Sequence, residues 1–380
     1  MPLYYFHGAP NLKKEKPDEQ ILTLTMPLMK LTDSKENSLL EMRAEFTRCT
    51  AYFLNEACER KTTSAFKLHK ACYRQAKNKF SLSSATIQTA RDRAIAIQRI
   101  FWARVRKWKK TSQPEIKHEL PIHLRQDAYT LFKKSNTWYI KFALKKGRQS
   151  YICLPLVTRP YILNYLSQEF SRGSAEIYQS KNKWLISLSI KIPCAPKDFH
   201  KTIGIDLGIR HRAVLSNNVF FSGKSLRKIR FGMFKRRFRS KKLKYQEHLQ
   251  ITHLNHILSK KIVKMAEAET ANLAMEYLTG IRERLLHNTG LSQSVVSHWS
   301  YKQLSDFICY KAKLAGLSIK LVDAADTSIT CSRCGFKSRD NRKSQSGFKC
   351  NSCGFELNAD LNASRNIAEK KGLDLEQMEN

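Results

Sequence analysis

The stretch Lys201–Asn218, KTIGIDLGIRHRAVLSNN, decides the fold prediction because it places a single acid inside an apolar, strand-like run. TIGIDLGI predicts one β-strand, HRAVLS predicts a second, and the following NNVFFSG predicts a turn into a third. Asp206 lies between Ile205 and Leu207 in the first of these strands. On its own this acid has a simple explanation, a charge at the edge of a strand.

The segments after this stretch predict alternating helices and strands. HLNHILSKKIVKMAEAE predicts a helix, ANLAMEYL a strand, residues 297–315 another helix, and SIKLVDAA a last strand. Three antiparallel strands followed by this alternation have the element order of an RNase H-like α/β fold. Because a fold does not fix a chemistry, the function has to be argued from the residues it carries.

The N-terminal part of the chain predicts a β-run and then helices. Ile21–Leu31 is β-like, capping residues start a helix near Ser34, and residues 63–80 predict a second helix. Ser84–Trp108 predicts a long helix, because apolar residues recur three or four apart on one face. Its opposite face is basic, and a solvated surface explains such a face about as well as a phosphate-binding one. The candidate phosphate contacts there are Arg91, Arg99 and Arg106.

From Pro114 to about residue 193 the sequence predicts short strands. DAYTLFKKSNTWYIKFAL predicts two strands around a Lys-Ser-Asn turn, and SAEIYQSKNKWLISLSIKI repeats this scheme. Alternate residues of the second segment are apolar: Trp184, Ile186, Leu188, Ile190 and Ile192. Short strands joined by tight turns predict a small barrel or a twisted antiparallel sheet.

The charge of the chain favours polyanionic partners. It contains 68 Lys and Arg against 32 Asp and Glu, a formal net charge of +36. Such an excess favours nucleic acid over a merely solubilising basic surface, in which both signs usually intermix. Residues 224–244 carry eleven Lys and Arg and no acid, and they are the strongest candidate contact surface. The candidate residues in this tract are Arg227, Lys228, Arg230, Lys235, Arg236, Arg237, Arg239, Lys241 and Lys242.

The sequence predicts an intracellular protein without a membrane partner. No apolar run approaches the roughly 18 residues needed to cross a bilayer, and the N-terminus lacks the pattern of a secretory signal. Six of the ten cysteines are scattered and four form two close pairs. That arrangement is typical of a reducing compartment and a metal site rather than of a disulfide framework.

The two cysteine pairs predict one structural zinc. Cys331 and Cys334 form the first pair, Cys350 and Cys353 the second, and fifteen residues separate the pairs. This is the spacing of a two-knuckle zinc site. Four thiolates complete a tetrahedral zinc shell and leave no open position, so the zinc would be structural rather than catalytic.

Three acids predict a second metal site. Asp206 and Glu276 lie in apolar strands, and Asp360 lies just before a helix, where it could also be a simple N-cap. Together they suit phosphodiester hydrolysis, in which carboxylates hold two divalent cations about 4 Å apart. The site would bind two Mg²⁺ or Mn²⁺ ions.

These motifs, in this order, resemble the TnpB/OrfB family of insertion-sequence proteins, relatives of type V CRISPR nucleases. The resemblance covers roughly residues 200–370 and rests on GIDLGIRHRAVLS, LAMEYL, DTSITCSRCG and the segment NRKSQSGFKCNSCGFELNADLNASRNIA. It implies a RuvC-type nuclease in which Asp206, Glu276 and Asp360 are the catalytic, metal-binding acids. The implied partners are a guide RNA from the transposon end and double-stranded target DNA, without a required protein partner.

The resemblance also implies a multidomain α+β architecture, in which a helical recognition domain is inserted in a β-barrel wedge domain. A RuvC domain interrupted by a zinc ribbon follows. The predicted limits are 1–32 and 113–198 for the wedge, 33–112 for the helical domain, 199–325 and 357–372 for the RuvC domain, 326–356 for the ribbon, and 373–380 for a tail.

The implied function is RNA-guided cleavage of DNA next to a short target-adjacent motif. In such a system base pairing reads the sequence, and the protein reads the duplex and the motif. The alternative is an RNA-guided repressor that binds DNA without cleaving it, since some family members have lost acids.

Overall fold

The computed structural model describes the greater part of the chain, residues 19–108, 111–147, 150–208, 210–234, 241–277 and 300–373. The chain forms two compact units, Met1–Pro193 and Cys194–Asn380. None of the helices in the described ranges combines the length and the apolar character that a membrane span needs.

Three long helices occupy the first half of the first unit: α1 (Asp33–Glu59), α2 (Ala65–Lys79) and α3 (Ser84–Trp108). The sequence predicted all three. Helix α2 begins where the Ser64 side chain accepts a hydrogen bond from the Lys67 amide, a standard N-cap. The helices pack through fully buried apolar side chains, among them Leu39, Phe46, Phe53, Leu68 and Ile87.

The strands of the first unit form two antiparallel sheets. They are β1 (Glu19–Pro27), β2 (Ile122–Leu124), β3 (Tyr129–Lys134), β4 (Thr137–Ala143), β5 (Tyr151–Leu156), β6 (Ser171–Ser180) and β7 (Lys183–Pro193), with helix α4 (Pro160–Leu166) before β6. The sheet orders are β1-β7-β6-β2 and β3-β4-β5, and an isolated bridge joins Leu28 to Leu156. The alternating apolar residues of β7 are all buried, as predicted. Closure into a barrel stays a prediction.

The second unit contains the RNase H-like order that the sequence predicted. Its strands are β8 (Lys201–Asp206), β9 (His211–Leu215), β10 (Phe220–Ser222), β11 (Ala271–Glu276) and β12 (Ile319–Val322), in the sheet order β10-β9-β8-β11-β12. The first three strands pair antiparallel, and β11 runs parallel to both β8 and β12.

Three helices of the described part pack against this sheet, α6 (Lys241–Ala268), α7 (Tyr301–Leu314) and α8 (Ala359–Glu369), and α5 (Lys224–Phe234) packs against α6. Ile262 of α6 and Leu304 of α7 share one buried cluster with Ile205 and Leu273 of the sheet. Helix α8 packs closely on β8, because a Cβ at Gly204 would lie 2.0 Å from the Ser364 carbonyl oxygen. Only glycine permits this close approach of α8 to β8.

A small ribbon lies between β12 and α8. It contains a 3₁₀ turn (Arg339–Asn341) and the antiparallel strands β13 (Gly347–Lys349) and β14 (Glu356–Asn358). Phe348 and Ala359 are buried together with Cys331 and Cys350, and this small cluster is the ribbon's core.

Candidate functional site

Asp206 and Glu276 lie at the carboxyl ends of two neighbouring parallel strands. Ile205 of β8 pairs with Met275 of β11, so the next residue on each strand is an acid. Because successive side chains of a strand point to opposite faces, equivalent positions of paired strands share a face. Both acids are half-buried at this edge of the sheet. The sheet therefore brings together two acids that lie seventy positions apart in the chain.

Asp360 lies in the first turn of α8. The N-cap is Asn358, whose side-chain oxygen accepts hydrogen bonds from the amides of Asp360, at 3.0 Å, and Leu361, at 3.2 Å. The alternative interpretation of Asp360 as the N-cap is therefore wrong. Its carboxylate does not cap the helix, and it lies at a helix end where the macrodipole favours negative charge.

The three carboxylates lie close enough to affect one another electrostatically. Burial, followed by the charges of Glu276 and Asp360, raises the pKa of Asp206 to about 8, against which the positive charge of Arg342 acts. Like charges gathered at a half-buried site disfavour ionisation. Groups of this kind concentrate at functional sites, because positive charge from a ligand or a cation can relieve the repulsion.

Two further side chains hold the acids in place. His211 of β9 lies with its Nδ1 3.1 Å from Asp360 Oδ2, and its ring meets Phe220 edge-on. The hydroxyl of Thr327 donates to Glu276 Oε1 at 2.6 Å. The sequence interpretation missed both residues. A signal exists for His211, a polar residue at the start of the strand next to that of Asp206, but none links Thr327 to Glu276.

The four cysteines form the second cluster. Their sulfur atoms all lie within 4.8 Å of one another, with Cys331 and Cys353 3.8 Å apart and Cys334 and Cys350 3.6 Å apart. Sulfurs bonded tetrahedrally to zinc at about 2.3 Å lie about 3.8 Å from each other. The thiols are therefore arranged so that they could hold a zinc ion, as the sequence predicted.

The two knuckles of this cluster repeat one backbone pattern. The amide of Gly335 donates to the Cys331 carbonyl, and that of Gly354 donates to the Cys350 carbonyl. Both glycines have positive φ, 76° and 70°, in the left-handed region that glycine adopts readily. The resulting turns direct both sulfurs of each pair toward one point.

The carboxylates are arranged differently from the thiols. Within the described ranges, the cysteines are the one group of three or more metal-ligating side chains that comes within 4.8 Å. The three acids therefore do not form a closed shell for one ion. Carboxylate oxygens are the hard donors that Mg²⁺ and Mn²⁺ prefer, so their chemistry fits these ions.

The predicted basic contacts are only partly described by the structure. Arg91 pairs with Asp92 and lies 2.7 Å from the His69 ring, whereas Arg99 and Arg106 are exposed on α3. Arg227 and Lys228 are exposed on α5. Arg230, Lys241 and Lys242 lie in helices, but their side chains are outside the described part. Lys235, Arg236, Arg237 and Arg239 lie outside the described residues altogether. Nucleic-acid contact by any of these residues stays a prediction.

Fold and site together define an RNase H-like α/β unit in which a four-cysteine ribbon precedes the helix that carries the third acid. The family model described as "Cas12f1-like, TNB domain" matches residues 301–367, from α7 through the ribbon into α8.

Curated relatives agree with this match. The chain is 31% identical over 236 residues to the CRISPR-associated endodeoxyribonuclease Cas12f1 of Sulfoacidibacillus thermotolerans, covering 53% of this chain and 54% of the relative. It is 31% identical over 125 residues to the TnpB-like protein MJ0751 of Methanocaldococcus jannaschii, covering 33% and 44%. It is 26% identical to the putative RNA-guided DNA endonuclease InsQ of Escherichia coli strain K12, covering 50% and 54%. The chain thus spans about half the length of these curated relatives.

The fold also matches a solved structure, that of a Cas12f1–sgRNA–target DNA complex. The TM-score is 0.66 at 16% identity, over 92% of this chain and 99% of that one. The mixed α+β multidomain fold of such effectors is therefore shown for this chain. These matches confirm the resemblance to the TnpB/OrfB proteins and their type V relatives that the motifs predicted.

Proposed function

We propose that this protein is an RNA-guided DNA endonuclease encoded by a transposable element, with Asp206, Glu276 and Asp360 as its metal-binding acids. The observation that carries the proposal is the gathering of these acids at one sheet edge, where burial first, and then the charges of Glu276 and Asp360, raise the pKa of Asp206 to about 8. A strongly basic chain otherwise has little reason to concentrate acids there. The DNA would be cut beside a short target-adjacent motif.

The residues divide the work of hydrolysis among them. Strands β8 and β11 hold Asp206 and Glu276 side by side. Helix α8, which packs on β8 at Gly204, carries Asp360. Two Mg²⁺ or Mn²⁺ ions, when bound, supply activation of water and stabilisation of the leaving oxygen. Asp206 has to release its proton before it can act as a ligand, since a protonated carboxyl is a poor one.

The cysteine ribbon has a structural part in this proposal. Cys331, Cys334, Cys350 and Cys353 would bind one zinc ion and leave no open position for substrate. Strand β14 of the ribbon leads directly into α8. Zinc binding by the four cysteines would therefore fix the first turn of α8, where Asp360 lies.

The positive charge has its part in binding nucleic acid. Phosphates are present on the guide RNA from the transposon end, on its duplex with the target strand and on the displaced strand. The Lys and Arg residues that give the chain its net charge of +36 would contact these phosphates. The exposed residues Arg99, Arg106, Arg227 and Lys228 are the candidates that the structure describes.

Cleavage by the protein with its copurified RNA tests the proposal. Sequencing that RNA identifies the guide, from which a matched DNA duplex and a mismatched control are made. With Mg²⁺, the wild type should cut only matched DNA, and Asp206→Ala should bind it equally well with cleavage lowered at least about 10³-fold. Binding of matched DNA by the wild type without cleavage would overturn the proposal and favour an RNA-guided repressor.

A further inference from the structure

We infer that Thr327 is a positioning residue that fixes the Glu276 carboxylate, and that the ribbon base and α8 hold Thr327 in place. The inference rests on the proposed function and deepens it, because it names a residue outside the acid triad that determines how well the site binds cations.

The contact between Thr327 and Glu276 is a strong one. The Thr327 hydroxyl lies 2.6 Å from Glu276 Oε1 and 3.2 Å from the carbonyl oxygen of Ala324. A hydroxyl has one proton to donate, and the shorter distance to the carboxylate is that of a charge-assisted O–H···O⁻ bond. Thr327 is 5% exposed, so little water competes for this bond. One carboxylate oxygen is thereby held, which fixes the orientation of the Glu276 carboxylate.

Thr327 is itself held by α8. The side-chain amide of Asn366 donates to the Thr327 carbonyl at 2.8 Å and to the Thr330 carbonyl at 2.7 Å. The amide of Asn362, one turn earlier, donates to the same Thr330 carbonyl at 2.8 Å, and its oxygen accepts from the Ser332 amide at 2.9 Å. Because residues four apart share a helix face, one face of α8 is hydrogen-bonded to the loop that leads into Cys331.

These hydrogen bonds link the element that carries Glu276 to the helix that carries Asp360. Asp360 is two residues before Asn362 on α8, while Glu276 ends β11, so the Thr327 loop touches the elements that carry both. Side chains that orient metal ligands typically change metal affinity about 10–100-fold when they are removed. A free Glu276 side chain would have to lose its rotamer freedom on binding the ion, at a cost of about 1–2 kcal/mol.

Four variants of the full chain, purified with RNA and zinc, test the inference by Mn²⁺ titration followed by electron paramagnetic resonance. Asp206→Asn provides the baseline for Mn²⁺ bound elsewhere, on RNA above all. Thr327→Val keeps the shape and removes the hydroxyl, so we expect Mn²⁺ affinity above that baseline to fall about 10-fold. Thr327→Ser keeps the hydroxyl and should recover most of the affinity. Thr330→Val is the matched control, because the Thr330 hydroxyl donates to the Asp326 carbonyl rather than to a carboxylate.

In cleavage assays the same loss should raise the Mg²⁺ concentration for half-maximal rate, with the affinity for matched DNA unchanged. A merely structural role would lower the melting temperature without this shift. Asn366→Ala is a second route to the same question: it leaves the hydroxyl but releases the loop, and should also weaken Mn²⁺ binding. It keeps the inference testable should Thr327→Val not fold.

The outcomes separate the inference from the proposed function. If Thr327→Val and Asn366→Ala bind Mn²⁺ as the wild type does, or if Thr327→Ser is as weak as Thr327→Val, the inference is wrong and the nuclease proposal stands. If the wild type binds no Mn²⁺ beyond the Asp206→Asn baseline, the carboxylate site itself is refuted, and the inference with it.

Discussion

The cysteine cluster and the carboxylate cluster differ in how their side chains are brought together. The cysteines come from two turns of the same local pattern, and their sulfurs lie within 4.8 Å of one another. The acids come from two strands and a helix, and their positions depend on the sheet order and on the close packing at Gly204. A cluster built from local turns is visible in the sequence as a spacing, whereas one built from distant segments is not.

The largest effect is expected from a substitution that disrupts the cysteine cluster. Cys350→Ser should release about one zinc per chain and unfold the ribbon locally, because structural zinc binding supplies folding free energy. Cleavage should fall as well, since the ribbon leads into α8. Zinc content measured by metal analysis and local exposure measured by hydrogen exchange check this, with Cys153→Ser, outside the cluster, as the control. Full zinc content in Cys350→Ser would show that the cysteines are not its ligands.

A smaller effect is expected where the acids depend on close packing. Gly204→Ala would place a Cβ 2.0 Å from the Ser364 carbonyl oxygen, so α8 must move, at a cost of about 3 kcal/mol in the free energy of unfolding. Gly335→Ala is the comparison in the ribbon: it meets open space but has φ of 76°, a strain of about 1–2 kcal/mol. Denaturant unfolding measures both. A loss at position 204 no larger than that at position 335 would mean that α8 accommodates the added methyl group at little cost.

The smallest effect is a pH dependence at the carboxylates. The pKa of Asp206 rises from an ordinary 3.8 to about 8 on folding, so ionising it costs stability increasingly between these values and fully above pH 8. In buffer without added divalent cations, Asp206→Asn should therefore have the melting temperature of the wild type near pH 4, and a progressively higher one as the pH rises to 8. Added Mg²⁺ should give the wild type the higher melting temperature, because Mg²⁺ should bind and stabilise only the wild type. A difference in melting temperature between the two proteins that stays constant from pH 4 to pH 8 would contradict the raised pKa of Asp206.

Much of the fold followed from periodicity. The limits of α3, Ser84–Trp108, were predicted to the residue because apolar side chains recur at helical spacing. The buried face of β7 followed from strict alternation. The roles at the end of β14 did not follow, because Asn358 and Asp360 both suit a helix start, and only the backbone geometry made Asn358 the cap.

The sequence by itself determined the element order of the second unit, the four cysteines and the three acids as candidates. These are properties of spacing and residue type, which need no knowledge of distant contacts. Only the tertiary structure decided that Thr327 bonds to Glu276, that His211 meets Asp360, and that α8 lies against β8. Such contacts join residues from 51 to 160 positions apart, and their geometry is set by sheet register and packing, which no local pattern encodes.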